Sequence, residues 1–94
     1  MNKLRENVEP AKYEKWVRER DYPEARKMHT IKSYQVHRVK ETLLGKKLFD
    51  YVEVIEVTDV DEYKKDLGSP AVKALLQEWQ GYIGESTGVY MEKV

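Results

Sequence analysis

Cysteine is absent from this chain of 94 residues. That excludes a disulfide scaffold, a thiolate metal site and a cysteine nucleophile. A surplus of charge of either sign is missing as well: 17 Lys and Arg stand against 17 Asp and Glu, for a formal net charge of zero. There is thus no strong positive field to hold nucleic acid by its phosphates, and no RNP aromatics or zinc-finger spacing accompany any local basic patch. Long apolar runs are lacking too. Apolar residues make up 40% of the chain, mean hydropathy is −0.78, and no stretch nears the roughly 20 apolar residues that span a bilayer. The amino end carries no charged-then-apolar signal pattern. No GxGxxG or GxxxxGK[ST] loop occurs, which argues against a nucleotide cofactor. Two histidines without HxH, HxxxH or HExxH spacing give no metal signal. The expectation is one soluble, cytoplasmic domain over residues 1–94, with no cofactor or metal and with neither nucleic acid nor membrane as partner.

Two things are plentiful. Charged residues reach 36% of the chain, against roughly 25% in an ordinary globular domain. Ten aromatics (seven Tyr, two Trp, one Phe) accompany them, far too many for a self-repelling disordered chain. A domain this small removes only about 60–65% of its unfolded surface from water, so association with a second copy would help it.

Punctuation residues divide the chain. Met1 to Val8, with Met1, Leu4 and Val8 apolar, reads as a short strand. Glu9-Pro10 opens a helix, since proline is tolerated at the first helical position, and Tyr13, Trp16 and Val17 supply its buried stripe. That helix should weaken before Pro23, with another turn or two over Pro23 to Met28. Ile31 to Lys40 and Leu48 to Val57 read as strands, joined through a turn at Gly45. Asp59 caps a short helix whose buried side is Val60, Tyr63 and Leu67. Ser69-Pro70 starts the best helix, with Val72, Leu75, Leu76, Trp79, Tyr82 and Ile83 at helical spacing and Gly84 as its stop. Gly88 to Val94 then closes the chain as a final strand. The order β-α-β-β-α-α-β predicts an α+β, ferredoxin-like four-stranded antiparallel sheet with helices on one face. The uncovered face would be closed by another chain.

The middle strands carry the functional information. In the first of them Ile31, Ser33, Gln35, His37 and Val39 alternate with Thr30, Lys32, Tyr34, Val36 and Arg38; in the next, Tyr51, Glu53, Ile55 and Val57 alternate with Asp50, Val52, Val54 and Glu56. Neither alternation separates apolar from polar cleanly, as in a sheet lining a polar-tipped cavity or, alternatively, in hydrated sheets meeting at a dimer seam. His37 has the pKa for acid–base work and Glu53 could orient it across the hairpin; a hydrogen-bonded strand histidine at the seam is the competing reading. His29 reads as a solvated loop residue. Asp21 is either a cap for the Pro23 turn or a partner carboxylate. Trp16, Tyr34, Tyr51, Trp79 and Tyr82 could line a pocket for a flat aromatic ligand, or form an aromatic core. Ser33 lacks an Asp-His set at recognisable spacing, so a hydrolase triad is unsupported.

The run Tyr13-Glu14-Lys15-Trp16-Val17-Arg18-Glu19-Arg20-Asp21-Tyr22-Pro23, then Ile31 to Val39, Phe49 to Val57, and Ser69-Pro70-Ala71-Val72 with Trp79, resembles the REDY-like (HapK-type) proteins. The resemblance runs from about Val8 to Ile83 and rests on order and spacing, since none of these segments is a catalytic signature. It implies a ferredoxin-like subunit of the dimeric α/β-barrel superfamily, encoded with pathways to prodiginine-type pyrroles and related aromatic products. It further implies a cofactor-free homodimer that binds an aromatic or polyketide-like intermediate, with cyclisation or dehydration as the inferred chemistry. A non-catalytic carrier and a cofactor-free monooxygenase are the alternatives, and fold alone does not choose among them. The expected catalytic set is His37, Glu53, Asp21 and Tyr51, with Trp16, Tyr22, Ser33, Tyr34, Trp79 and Tyr82 as ligand contacts. One departure stands out: relatives begin with a longer apolar strand, so the short, polar Met1-Asn2-Lys3-Leu4-Arg5 suggests a clipped start.

Overall fold

The computed structural model describes residues 1–94. Its strands are β1 (Asn2–Leu4), β2 (Ile31–Arg38), β3 (Tyr51–Val57) and β4 (Ile83–Ser86), and its helices are α1 (Pro10–Trp16), α2 (Tyr22–Arg26), α3 (Val60–Asp66) and α4 (Pro70–Gln80). The strands form one antiparallel sheet in the order β2-β3-β1-β4. The helices cover one face, and the molecule measures 34 × 33 × 18 Å, thin enough for two layers. This is the expected ferredoxin-like arrangement. Although β1 has three residues, it sits between β3 and β4 in the middle of the sheet.

Pro10 stands in the first turn of α1, as predicted. The weakening before Pro23 takes a specific form, a π-helical turn over Val17–Asp21 in which the Tyr22 N–H reaches the Val17 carbonyl. Pro23 has no N–H to continue the ladder and its ring crowds the carbonyl four residues earlier, so the widened turn accommodates it. The turn also leaves Val17 and Asp21 both buried. Asp59 and Ser69 cap α3 and α4 as expected, accepting from the Glu62 N–H at 3.0 Å and the Val72 N–H at 3.3 Å. Gly45, at φ 79°, is the turn residue between β2 and β3. It lies in a long connection on which Leu43 and Leu44 are exposed.

The closing strand requires correction. It is Ile83–Ser86 rather than Gly88 to Val94, and residues 87–94 carry no regular structure. Helix α4 stops at Gly81, whose backbone caps it, while Gly84 belongs to the strand. Ile83 satisfies the helical spacing of α4 and the strand alternation alike, so periodicity alone extended the helix across it. A Cβ added at Gly84 would meet the Arg5 Cα at 3.5 Å, ordinary contact beside the register shift between Lys3 and Leu4.

The core is small: 10 of the 94 residues are buried. Tyr13, Trp16, Val17, Tyr51, Leu75 and Ile83 form it, between α1, α4 and the sheet. Tyr13 is its hub, with its ring 4.8 Å edge-on from Tyr51, 6.1 Å from Trp16 and 5.9 Å from Tyr82. Helix α3, expected to bury Val60, Tyr63 and Leu67, buries none of them fully. Over this part of the sheet the helical layer rests on half-buried Tyr34, Tyr63 and Trp79 instead of a packed core.

Candidate functional site

Register decides which polar side chains meet. Tyr34 pairs with Ile55, Val36 with Glu53, and Arg38 with Tyr51, so Tyr34, Glu53, Arg38 and Tyr51 project toward the helices. His37 pairs with Val52 and Gln35 with Val54, on the opposite face. The expected His37–Glu53 pair therefore does not form. His37 is exposed, and its Nε2 lies 3.2 Å from the Gln35 Oε1 of the same strand. His29 is exposed as well.

Glu53, Asp21 and Tyr34 do come together, beneath the helices. The Tyr34 hydroxyl donates to the Asp21 Oδ2 at 2.6 Å. Burial pushes the Asp21 carboxyl up to about 6; the Tyr34 hydrogen bond works against this and the nearby Glu53 charge adds to it. Burial likewise raises Glu53, partly offset by Tyr34, the N-terminal ammonium, Asn2 and Trp79. Tyr34 is held far above the usual phenol range by burial and by both carboxylates, so it stays a donor. Two carboxyl groups both raised by burial, with a phenol bonded to one and close to the other, form a cluster that can hold and hand on a proton.

Three buried polar atoms in this region have no hydrogen-bond partner: Asn2 Nδ2, Tyr13 OH and Glu53 Oε1. Asn2 and Tyr13 are 1% and 0% exposed. The Asn2 Oδ1 accepts from the Ser86 hydroxyl at 2.7 Å, which turns its amide N–H toward Tyr13 and Glu53, close enough to both to favour their ionised forms. Tyr13 lies in the buried stripe of α1 expected from its spacing, whereas the sequence gave Asn2 no role.

Other expected contacts are placed elsewhere. Trp16 and Tyr82 belong to the aromatic cluster, 5.4 Å apart, and the Trp16 Nε1 donates to the Glu78 Oε1 at 3.2 Å. Ser33 lies on the outer face, 3.5 Å from Glu56. Tyr51 works with Glu14, to which its hydroxyl donates at 2.6 Å, while Arg38 sits 3.6 Å from the same carboxylate oxygen. These three residues line an open cavity of about 250 Å³ with Val17, Arg18, Tyr22 and Val36. Tyr22 also borders a second cavity of about 330 Å³ that includes Tyr34 and Ser33, and its hydroxyl accepts from the Val36 N–H at 3.0 Å. Edge-on contact with Tyr34, at 5.7 Å, makes Tyr22 the wall between the two cavities. No three His, Cys, Asp or Glu side chains gather closely enough to hold a metal ion, and no helix is long and apolar enough to cross a membrane.

Fold and site together define a small ferredoxin-like protein with a carboxylate–tyrosine cluster beneath its helical layer. The chain belongs to the REDY-like HapK family, whose model matches residues 1–94. Among solved structures it is similar to HapK from Hahella chejuensis, at 23% identity and a TM-score of 0.74, covering 98% of this chain and 92% of that one. No curated protein matches it.

Proposed function

We propose that this protein binds a small, flat aromatic intermediate of secondary metabolism, of the prodiginine-type pyrrole or a related class, and moves a proton on it without a cofactor. The observation that carries the reading is the Asp21–Tyr34–Glu53 cluster: two buried carboxyl groups around one phenol, roofed by partly exposed aromatics. In this reading Glu53 or Asp21 in its ionised form takes a proton from carbon beside an electron-withdrawing group. The other carboxyl, or Tyr34, returns one to a different atom of the substrate. Cyclisation, dehydration and isomerisation all need this pair of transfers. Tyr22 and Trp79 would hold the ring plane, and confinement beneath the helices would supply orientation. His37 has no part in the cluster and Tyr51 serves Glu14, so the acid–base roles fall to Asp21 and Glu53.

The active form in this proposal is a homodimer. The outer face of the sheet presents Val52 and Val54 among Ser33, Gln35, His37 and Glu56, and Val54 is 43% exposed. A second sheet packed on this face would cover the valines and bond the polar side chains. His37 would then lie at the seam.

The test follows exchange of the protons beside the carbonyl of 2-tetralone in heavy water by NMR. Protein-dependent exchange is expected, lost in Asp21→Asn and Glu53→Gln and kept in His37→Ala. Exchange no faster than in buffer ends the catalytic reading. Binding of 2-tetralone without exchange leaves a carrier.

A further inference from the structure

We infer that the open cavity between α1, the π-helical turn and the β2–β3 strands binds the carboxylate of a small single-ring acid, with Arg18 and Arg38 as its cationic anchors. This goes beyond the proton-transfer reading, because no residue that lines the cavity belongs to the Asp21–Tyr34–Glu53 cluster.

The cavity itself provides the room. It holds about 250 Å³, below the roughly 300–1,000 Å³ of sites for drug-sized ligands. One ring with one small substituent suits that space. Val17 and Val36, with the Tyr22 and Tyr51 rings, give the ring an apolar lining.

Charge decides what the substituent is. Arg20 pairs with Glu24 at 3.5 Å and with Glu78 at 2.6 Å, and Arg26 lies over the Tyr22 ring. Arg18, on the same stretch of chain, borders the cavity and pairs with no carboxylate. Glu14 is the only acid of the lining. Its Oε2 already accepts from the Tyr51 hydroxyl at 2.6 Å, and the Arg38 Nη1 stands 3.6 Å from the same oxygen. That separation is too long for a hydrogen bond, so Arg38 keeps its donors for a ligand. Two guanidiniums against one carboxylate leave a single positive charge beside an apolar surface. A planar carboxylate complements it, since a guanidinium offers such a group two parallel N–H donors. A dianion such as phosphate would meet twice the repulsion from Glu14, and a neutral group would gain nothing from the charge.

The test titrates benzoate and its neutral isostere benzamide into the protein by calorimetry, at neutral pH and low salt. Benzoate is expected to bind the wild type at least about tenfold more tightly than benzamide, a difference of about 1.4 kcal/mol. Arg18→Gln should lose most of that preference while folding like the wild type, because the side chain is exposed and forms no ion pair. Glu14→Gln removes the competing anion yet keeps an acceptor for the Tyr51 hydroxyl, so it should bind benzoate several-fold more tightly. Nuclear Overhauser contacts from the benzoate ring to the Val17 and Val36 methyls locate the ligand on the wild type alone. Absence of benzoate binding at millimolar concentration, equal affinity for acid and amide, or contacts to other methyls would overturn the site. So would undiminished binding by Arg18→Gln, or no gain in Glu14→Gln. None of these results bears on the exchange of 2-tetralone protons, and absence of that exchange leaves the carboxylate site standing.

Discussion

Asp21 is the residue on which site and stability meet. Its carboxyl binds a proton more tightly in the folded chain, at about 6, than at its ordinary value of 3.8. The folded state therefore holds more protons than the unfolded one between these values, and stability falls as pH rises through that window. A shift of this size corresponds to a loss on the order of 2–3 kcal/mol by neutral pH. Asp21→Asn mimics the protonated group and keeps an acceptor for Tyr34. It should unfold at higher denaturant than the wild type at pH 8, with the two converging near pH 4, as measured by urea titrations at both pH values. Tyr34→Phe should act in the opposite sense, because it strips the 2.6 Å hydrogen bond from a buried carboxylate. A loss of about 1.5–3 kcal/mol is expected at pH 8 and a smaller one at pH 4, where the acceptor is neutral. If the Tyr34→Phe loss were equal at the two pH values, Asp21 would not be titrating in the folded state. A surface pair such as Arg20–Glu78, with both side chains well exposed, has no comparable leverage.

At the scale of elements, α4 and the π-helical turn locate the site. Helix α4 supplies Leu75 to the core, Trp79 to the roof near Glu53, and Glu78, which accepts from Trp16 at 3.2 Å and pairs with Arg20 through both carboxylate oxygens. These contacts lash α4 to α1 and the π-helical turn. With few fully buried residues of its own, α4 depends on its start. Ser69→Ala, which removes the cap on the Val72 N–H, should cost about 1 kcal/mol in chemical denaturation. An unchanged midpoint would show that Pro70 alone is enough to set the first turn. The neighbouring α3 is pinned mainly through the Thr30 hydroxyl, which donates to Asp66 at 2.6 Å, and through partial burial of Tyr63 and Leu67. Such a lightly packed element suits the covering of a cleft that must admit a ligand.

For the whole molecule, the thin two-layer shape leaves one side of the sheet without cover. The dimer proposed for that side has a direct check. Val54→Lys places a charge at the centre of the outer face, opposite Gln35, and leaves the helix-side core untouched. In sedimentation velocity the wild type should run as a dimer and Val54→Lys as a folded monomer. A monomeric wild type would end the dimer proposal, and a Val54→Lys dimer would place the contact elsewhere. Because the carboxylate cluster lies on the other face, a monomeric Val54→Lys protein should still bind 2-tetralone.

Much of this architecture was legible from local chemistry. Proline at the first helical turn, the Asp59 and Ser69 caps, the β-branched run ending at Val57 and the glycine of the β2–β3 connection each act over a few residues. They determined the order of elements up to α4, while the resemblance of the Tyr13–Pro23 and strand segments gave the family and put Asp21, Tyr34 and Glu53 among the candidates. Tertiary structure alone decided which of those candidates share a space. The hairpin register put Glu53 opposite Val36 and His37 opposite Val52; a shift of one residue would have exchanged the faces, and nothing in either strand's own sequence chooses between them. The closing strand moved to Ile83–Ser86 because pairing with β1 outweighed the helical spacing of Ile83. The meeting of Asn2 and Tyr13 emerged only in three dimensions. Each is ordinary beside its neighbours in the chain, and only the fold buries the two side chains together, next to Glu53.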